Sequence, residues 1–231
     1  MTFPTYGVTA TGFGSASTTH NVDIPALDDG DGLIVIFQAS GGGGITEPAS
    51  YASGILYETS NAIICCRKAS GSSSATTENF ATANAVTAVA TVIKIDAGTW
   101  SEDISEIEIN TQVTGSGTAP DPGSITASWG GDDNLFIAEL RAIDDDVHAT
   151  AAPTNYSDLS SAVSGGGTNN GNTSAVAFRQ LAAASDNPGA FTLASSENWG
   201  AHTLVVRGAA AGGGGSEGAA LHHYLQQMGA R

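Results

Sequence analysis

The chain has 231 residues, 41% of them apolar, and a formal net charge of −16 from 23 acidic against 7 basic side chains. That length can bury one or two cores, while the acidity and the lack of any basic run argue against nucleic acid and anionic membrane surfaces as partners. With 30 Gly, abundant Ser and Thr and only 6% aromatics, the composition is that of a turn-rich β protein with cores of Val, Ile, Leu and Ala.

In chain order, residues 6–12 and 19–24 alternate as short strands, and Asp29-Gly30-Asp31-Gly32 is a polar turn that launches Leu33-Ile34-Val35-Ile36-Phe37. A continuous apolar run after a sharp turn reads as a central strand buried on both faces. Residues 54–59 and 62–69 form a hairpin through Ser60-Asn61, and Ala85–Asp96 is a longer strand closed by Ala97-Gly98. In the second half Ile107 and Ile109 alternate with Glu106, Glu108 and Asn110, a half-exposed strand with an acidic outer face. Strands are further expected at 124–129, 133–143, 174–182, 189–194 and 200–207, with a polar loop at 165–172.

The two halves echo one another. Asp132-Asp133-Asn134-Leu135-Phe136-Ile137-Ala138 repeats the first turn and central strand, Pro153-Thr154-Asn155-Tyr156 repeats Pro48-Ala49-Ser50-Tyr51, and Ala175–Arg179 repeats Ile63–Arg67. Val22-Asp23-Ile24 lies where Ser124-Ile125-Thr126 lies, and Thr91–Lys94 where Thr203–Val206 lies. The order of these landmarks points to a tandem duplication of a unit of roughly a hundred residues. The expected fold is therefore all-β, with two β-sandwich units of about seven strands each, immunoglobulin-like or jelly-roll, over residues 1–98 and 99–208. Whether they stand apart or fuse is open.

Residues 209–216 form a Gly/Ala linker. In the segment 217–231, Leu221, Tyr224, Leu225 and Met228 fall at i, i+3, i+4 and i+7, the apolar stripe of a short amphipathic helix. Ser216 suits its N-cap, Glu217 its first turn and Gly229 its stop. A helix of about 12 residues is marginal alone in water, so the stripe is expected to bind a partner subunit or to fold back on its own sandwich.

Little in the sequence carries chemistry. The two cysteines, Cys65 and Cys66, are strand neighbours whose side chains point to opposite faces, so they are expected to be reduced packing residues. Asp28–Asp31 and Asp144-Asp145-Asp146 lack the spacing of a calcium loop and read as turns. The histidines His20, His148, His202, His222 and His223 are scattered. There is no Gly-x-Ser-x-Gly elbow and no Lys-bearing phosphate loop, Lys68 and Lys94 being the only lysines. No catalytic, metal or cofactor residues are assigned. Trp100, Trp129 and Trp199, with Tyr51 and Tyr156, are the only candidates for a sugar platform, with packing the expected role of each. Met1–Tyr6 has no secretory pattern and no run reaches membrane-spanning length, so a cytoplasmic site of synthesis is expected.

The turn before Leu33–Ile36, the strand ending Arg67-Lys68-Ala69 and the strand Val92–Asp96 with Ala97-Gly98, repeated in the second half, resemble those of virion-associated β-sandwich proteins of tailed bacteriophages and gene-transfer particles. Leu221–Ala230 is similar to short helical modules that end phage structural proteins. The resemblance implies a non-enzymatic, multi-copy virion component, a capsid decoration or cement protein on the outer surface, in contact with capsid, neck or tail proteins and with its own copies. A glycan-binding module of a head or tail fibre is the alternative.

Overall fold

The computed structural model describes residues 2–143, 148–165 and 171–210. The chain is all-β, and each half builds one six-stranded antiparallel sheet. In the first half these are β1 (Tyr6–Ile24), β2 (Gly32–Gln38), β3 (Ile45–Thr46), β4 (Ile55–Glu58), β5 (Ala62–Lys68) and β6 (Thr76–Ile95), in the order β1-β6-β2-β5-β4 with β3 on β6. In the second half β7 (Ile107–Ile109), β8 (Val113–Gly117), β10 (Asp133–Ala142), β12 (Ser157–Val163), β13 (Thr173–Ala182) and β16 (Glu197–Val206) take the order β12-β13-β10-β16, with β7 and β8 both on β16. Read from opposite ends the two orders are the same, with β2 and β10 central in each.

The inner faces of the two sheets stack on one another. Ile34, Ile36, Ile64, Cys66, Ile93 and Ile95 from the first half share one buried core with Leu135, Ile137, Val176, Phe178, Leu204 and Val206 from the second. Edge strand β1 lies beside β12 and edge strand β4 beside β7, so the halves meet about a pseudo-two-fold axis. The units are fused through this shared core.

Each sheet also has its own outer layer. A strand of 19 or 20 residues, the lengths of β1 and β6, is too long to stay in one plane of a small domain. Register shifts between Phe13 and Thr19 bend the paired strands β1 and β6. Its far half brings Val22, Ile24 and Phe80 over Leu33, Val35 and Phe37 on the outer face. Sequence reading finds strands at 6–12, 19–24 and 85–96, but the chain is continuous through both bends. The Thr- and Asn-rich stretch 76–84 escapes notice because most of it is exposed. The second sheet is covered instead by two short pairs, β9 (Ile125–Thr126) with β14 (Ser185–Asp186) and β11 (Ala149–Ala151) with β15 (Thr192–Leu193), over Phe136, Ala138 and Leu140. The strands expected at 124–129 and 189–194 shrink to these pairs, and β12 was not anticipated.

The register refines the internal match. Ile34 pairs with Cys66 and Ile93, and Ile137 with Phe178 and Leu204. Ile93 therefore corresponds to Leu204, one residue from the match of Thr91–Lys94 with Thr203–Val206. Val22 pairs with Glu78 as Ile125 pairs with Asp186, again one residue from the sequence match. A one-residue slip moves side chains to the wrong face, so only paired registers fix such equivalences.

Cys65 faces the outer core and Cys66 the shared one, both free. Burial raises both thiols, Cys66 to about 12. Along the β1–β12 flank the backbones touch: a Cβ on Gly12 would overlap the carbonyl of Val163, whereas one on Gly7 in the same strand meets nothing. Gly12→Ala is therefore expected to destabilise by about 3 kcal/mol, the upper end for overpacking. Gly7→Ala should be near neutral, and urea melts of the two variants check the contrast.

Candidate functional site

The duplication supplies a repeated polar motif on the outer faces. Arg67, at the end of β5, lies 2.6 Å from Glu78 and 5.3 Å from the centre of the Tyr51 ring. Arg179, its counterpart in β13, lies 2.7 Å from Asp186, and the Tyr156 hydroxyl donates to the same carboxylate at 2.8 Å. Tyr51 and Tyr156 are buried, each with its backbone N–H donating to the proline three residues earlier. Burial, then the neighbouring carboxylate, raises both phenols. These are packing anchors, not sugar platforms.

The turns ahead of the central strands are repeated too. Asp31, 1% exposed, accepts from the Asp28 and Ala97 N–H groups and lies 3.1 Å from Lys94. Asn134 occupies the same place, donating to Ala183 and Gly130 and accepting from Trp129 Nε1. Asp29 accepts from Gly71. These acidic residues serve the turn, and among the described residues no three His, Cys, Asp or Glu side chains converge as metal ligands. Asp144, Asp145 and Asp146 lie outside the described residues, as do His222, His223 and the whole stripe of Leu221, Tyr224, Leu225 and Met228.

The halves differ at one end of the shared core. Where the first sheet turns Ile36, Gln38 and Thr91 inward, the second turns Glu139, Arg141 and His202 inward. All three are buried, Glu139 and His202 completely. Arg141 Nε lies 2.6 Å from Glu139, and His202 Nδ1 lies 3.0 Å from both Glu139 Oε2 and Arg141 Nη2. One ring nitrogen cannot serve both, so it accepts from Arg141 in one tautomer or donates to Glu139 in the other. Tyr57, from β4, caps the cluster: its ring stands edge-on to His202 at 4.4 Å and 4.6 Å from the Arg141 guanidinium. Sequence reading missed this cluster. Its signal is Glu139 and Arg141 in phase with Leu135 and Ile137, two charges on the inward side of an apolar strand.

Above the cluster is a cleft of about 220 Å³ between the halves, with Gln38, Tyr57, Asn61, Gln112, Asn198 and Trp199 in its wall. Gln38 Nε2 donates to the Ala142 carbonyl across the seam. Of the three tryptophans, Trp199 alone borders this cleft, and its ring packs over Gly115 against the outer layer of the second sheet. Trp100 is buried in the shared core, and Trp129 is tied to Asn134. His20 is buried between Phe13 and Phe37, and burial holds its imidazole below the usual value.

Charge is distributed unevenly over the exterior. Arg67, Lys68, Lys94, Arg141, Arg179 and Arg207, every lysine and arginine among the described residues, are each in an ion pair with a carboxylate. Among the described residues, the carboxylates outside these pairs outnumber the cations and lie beyond ion-pair distance of any lysine or arginine. Large exposed apolar side chains among the described residues are limited to Ile55 and Ile143. Among the described residues no helix is long and apolar enough to cross a membrane. No protein-family model, curated protein or solved structure matches this chain.

Proposed function

We propose that this is a non-catalytic structural protein of a tailed-phage virion, a decoration or cement protein seated on the outer capsid face after synthesis in the host cytoplasm. The observation that carries this reading is the pairing of every described cation while the chain keeps a net charge of −16. Such an exterior is repelled by packaged nucleic acid and by anionic membranes, and suits the outside of a shell. A fused pair of sheets with short loops is a stiff slab that offers broad sides to neighbours. The Leu221, Tyr224, Leu225 and Met228 stripe is the segment we assign to the capsid or to an adjacent copy.

The test uses particles stripped of this protein. The full chain should bind them to saturation and raise their resistance to heat. A chain ending at Ala210 keeps the backbone bonds that Ala209 makes to Thr2 and Thr99. It should melt like the full chain yet occupy particles at least about tenfold less well, as loss of an anchoring apolar cluster does. Failure of the full chain to bind any virion component would end the proposal, and normal occupancy by the shortened chain would end the role of the tail.

A further inference from the structure

The shared core has two flanks that the pseudo-two-fold axis makes equivalent, and they have diverged. On one, the unbroken β1 meets β12 backbone to backbone at Gly12 and Val163. There Asn172 closes the end of the seam, accepting from Ser40 and donating to the Thr87 carbonyl. On the other, the counterpart of β1 is broken into β7 and β8, both paired with β16, and the end strand β4 lies beside it. The break leaves a trough of about 860 Å³. Ile55 and Leu56 of β4 face Ile109 and Val113 across it, over the buried Ile107 and Ile125. We propose that in the free chain this trough holds the chain's own C-terminal stripe of Leu221, Tyr224, Leu225 and Met228.

Chemistry, length and reach select that occupant. Ile55, 40% exposed, is one of only two large apolar side chains left in solvent among the described residues. Glu108 is the one charged residue of the trough among them, and its carboxylate accepts from the Ser128 N–H. A cationic partner therefore finds little to pair with here, and the acidic body of a second copy is repelled. The tail is neither: the side chains of Glu217 and Arg231 cancel, so the net charge of −16 belongs to the rest of the chain. From Ile107, opposite Val206, to Val113, opposite Ala201, the trough follows β16 for about 17 Å. The helix expected over 217–228 is about 18 Å long. Ala209 is held by Thr99 and Thr2, so Ala210, where the described chain ends, lies no more than about 20 Å from Ile107. Residues 211–216 extend up to about 20 Å, enough to bring Glu217 to the mouth of the trough. So short a flexible linker sets an effective concentration on the order of millimolar. At micromolar protein the tail meets its own trough ahead of another copy's.

The inference goes beyond the virion placement: particle occupancy reads what the tail binds on a shell, and the trough is where it lies beforehand, so either can fail alone. Ordering a short helix costs entropy, so the tail leaves the trough on warming, before the body melts. The equal melting expected of the chain ending at Ala210 is therefore kept. Isoleucine methyl NMR compares that shortened chain with the full one. The Ile55 and Ile109 signals should differ between them while Ile34 and Ile93, inside the shared core, do not, and the difference should persist on dilution. Ala230→Cys supplies a thiol for a spin label, Cys65 and Cys66 being buried. The label should broaden the Ile55, Ile109 and Val113 methyls only when label and isotope share one chain. Ile55→Glu, at an exposed position, should weaken docking at least about tenfold, a change of 1.4 kcal/mol, and bring the Ile109 signal to its place in the shortened chain. The proposal is overturned if full and shortened chains give the same methyl signals, if broadening passes between mixed chains, or if Ile55→Glu leaves the tail docked.

Discussion

Glu139→Gln is expected to destabilise the protein by about 3–5 kcal/mol, because it leaves the Arg141 cation in the shared core without its counter-charge. The glutamate is completely buried and lies 2.6 Å from Arg141, so neither solvent nor another carboxylate can replace it. Denaturation in urea at constant pH measures the loss. The internal duplication supplies the compensating experiment. Glu139→Ile, Arg141→Gln and His202→Thr together install the residues that the first half carries at the same inward positions, Ile36, Gln38 and Thr91. Removing a whole buried ionic cluster is often neutral or stabilising, so the triple variant should recover most of the stability. If the single variant melts like the parent, the cluster is not held by charge.

Trp100→Ala should cost about 3–5 kcal/mol, the range for a large aromatic cut back to alanine in a core. Trp100 sits just after the first half ends, 1% exposed, inside the core that both halves share. Its Nε1 donates to the Gly30 carbonyl at 3.0 Å and its ring lies 3.0 Å from where a Cβ on Gly32 would be. It also pairs through its backbone with Gly208 at the end of the second half. One residue, through its side chain and its backbone, therefore ties together the first central turn, the connector and the segment after the last strand. Trp100→Phe separates the contributions: it keeps most of the apolar area and should lose about 1 kcal/mol with the indole hydrogen bond. Equal losses in both variants would show that the hydrogen bond, not the packing, is what matters here.

The duplicated plan is legible in the sequence because its landmarks are the residues with least freedom. Asp29–Gly32 and Asp132–Leu135 must turn sharply ahead of a fully buried strand, and Pro48–Tyr51 and Pro153–Tyr156 must carry a tyrosine inward under an arginine. Composition likewise marks the acidic exterior and the separate faces of Cys65 and Cys66. The stacking of the two sheets is not legible. Ile34 and Leu33 are both buried, and only pairing shows that one faces the other half and the other an outer layer. The bent β1–β6 pair reads as separate short strands because strand periodicity is lost across the bulges near Ser17. The site was harder still. Tyr57, Gln38, Gln112 and Trp199 come from three strands and the segment before β8, in two halves, and no spacing along the chain brings them together. Glu139 and Arg141 were the one local sign, two charges in a strand otherwise as apolar as Leu33–Phe37.

Joining two copies of a sheet in one polypeptide removes a constraint that a homodimer cannot escape. Identical subunits about a two-fold axis must present every groove that lies off the axis twice or not at all. Here the covalent link has let Gly12 and Asn172 seal one side while Gly200 and Trp199 leave the other ajar. The recess beside Tyr57 is therefore a product of divergence between the halves, placed on one flank while Gly12 and Val163 close the other.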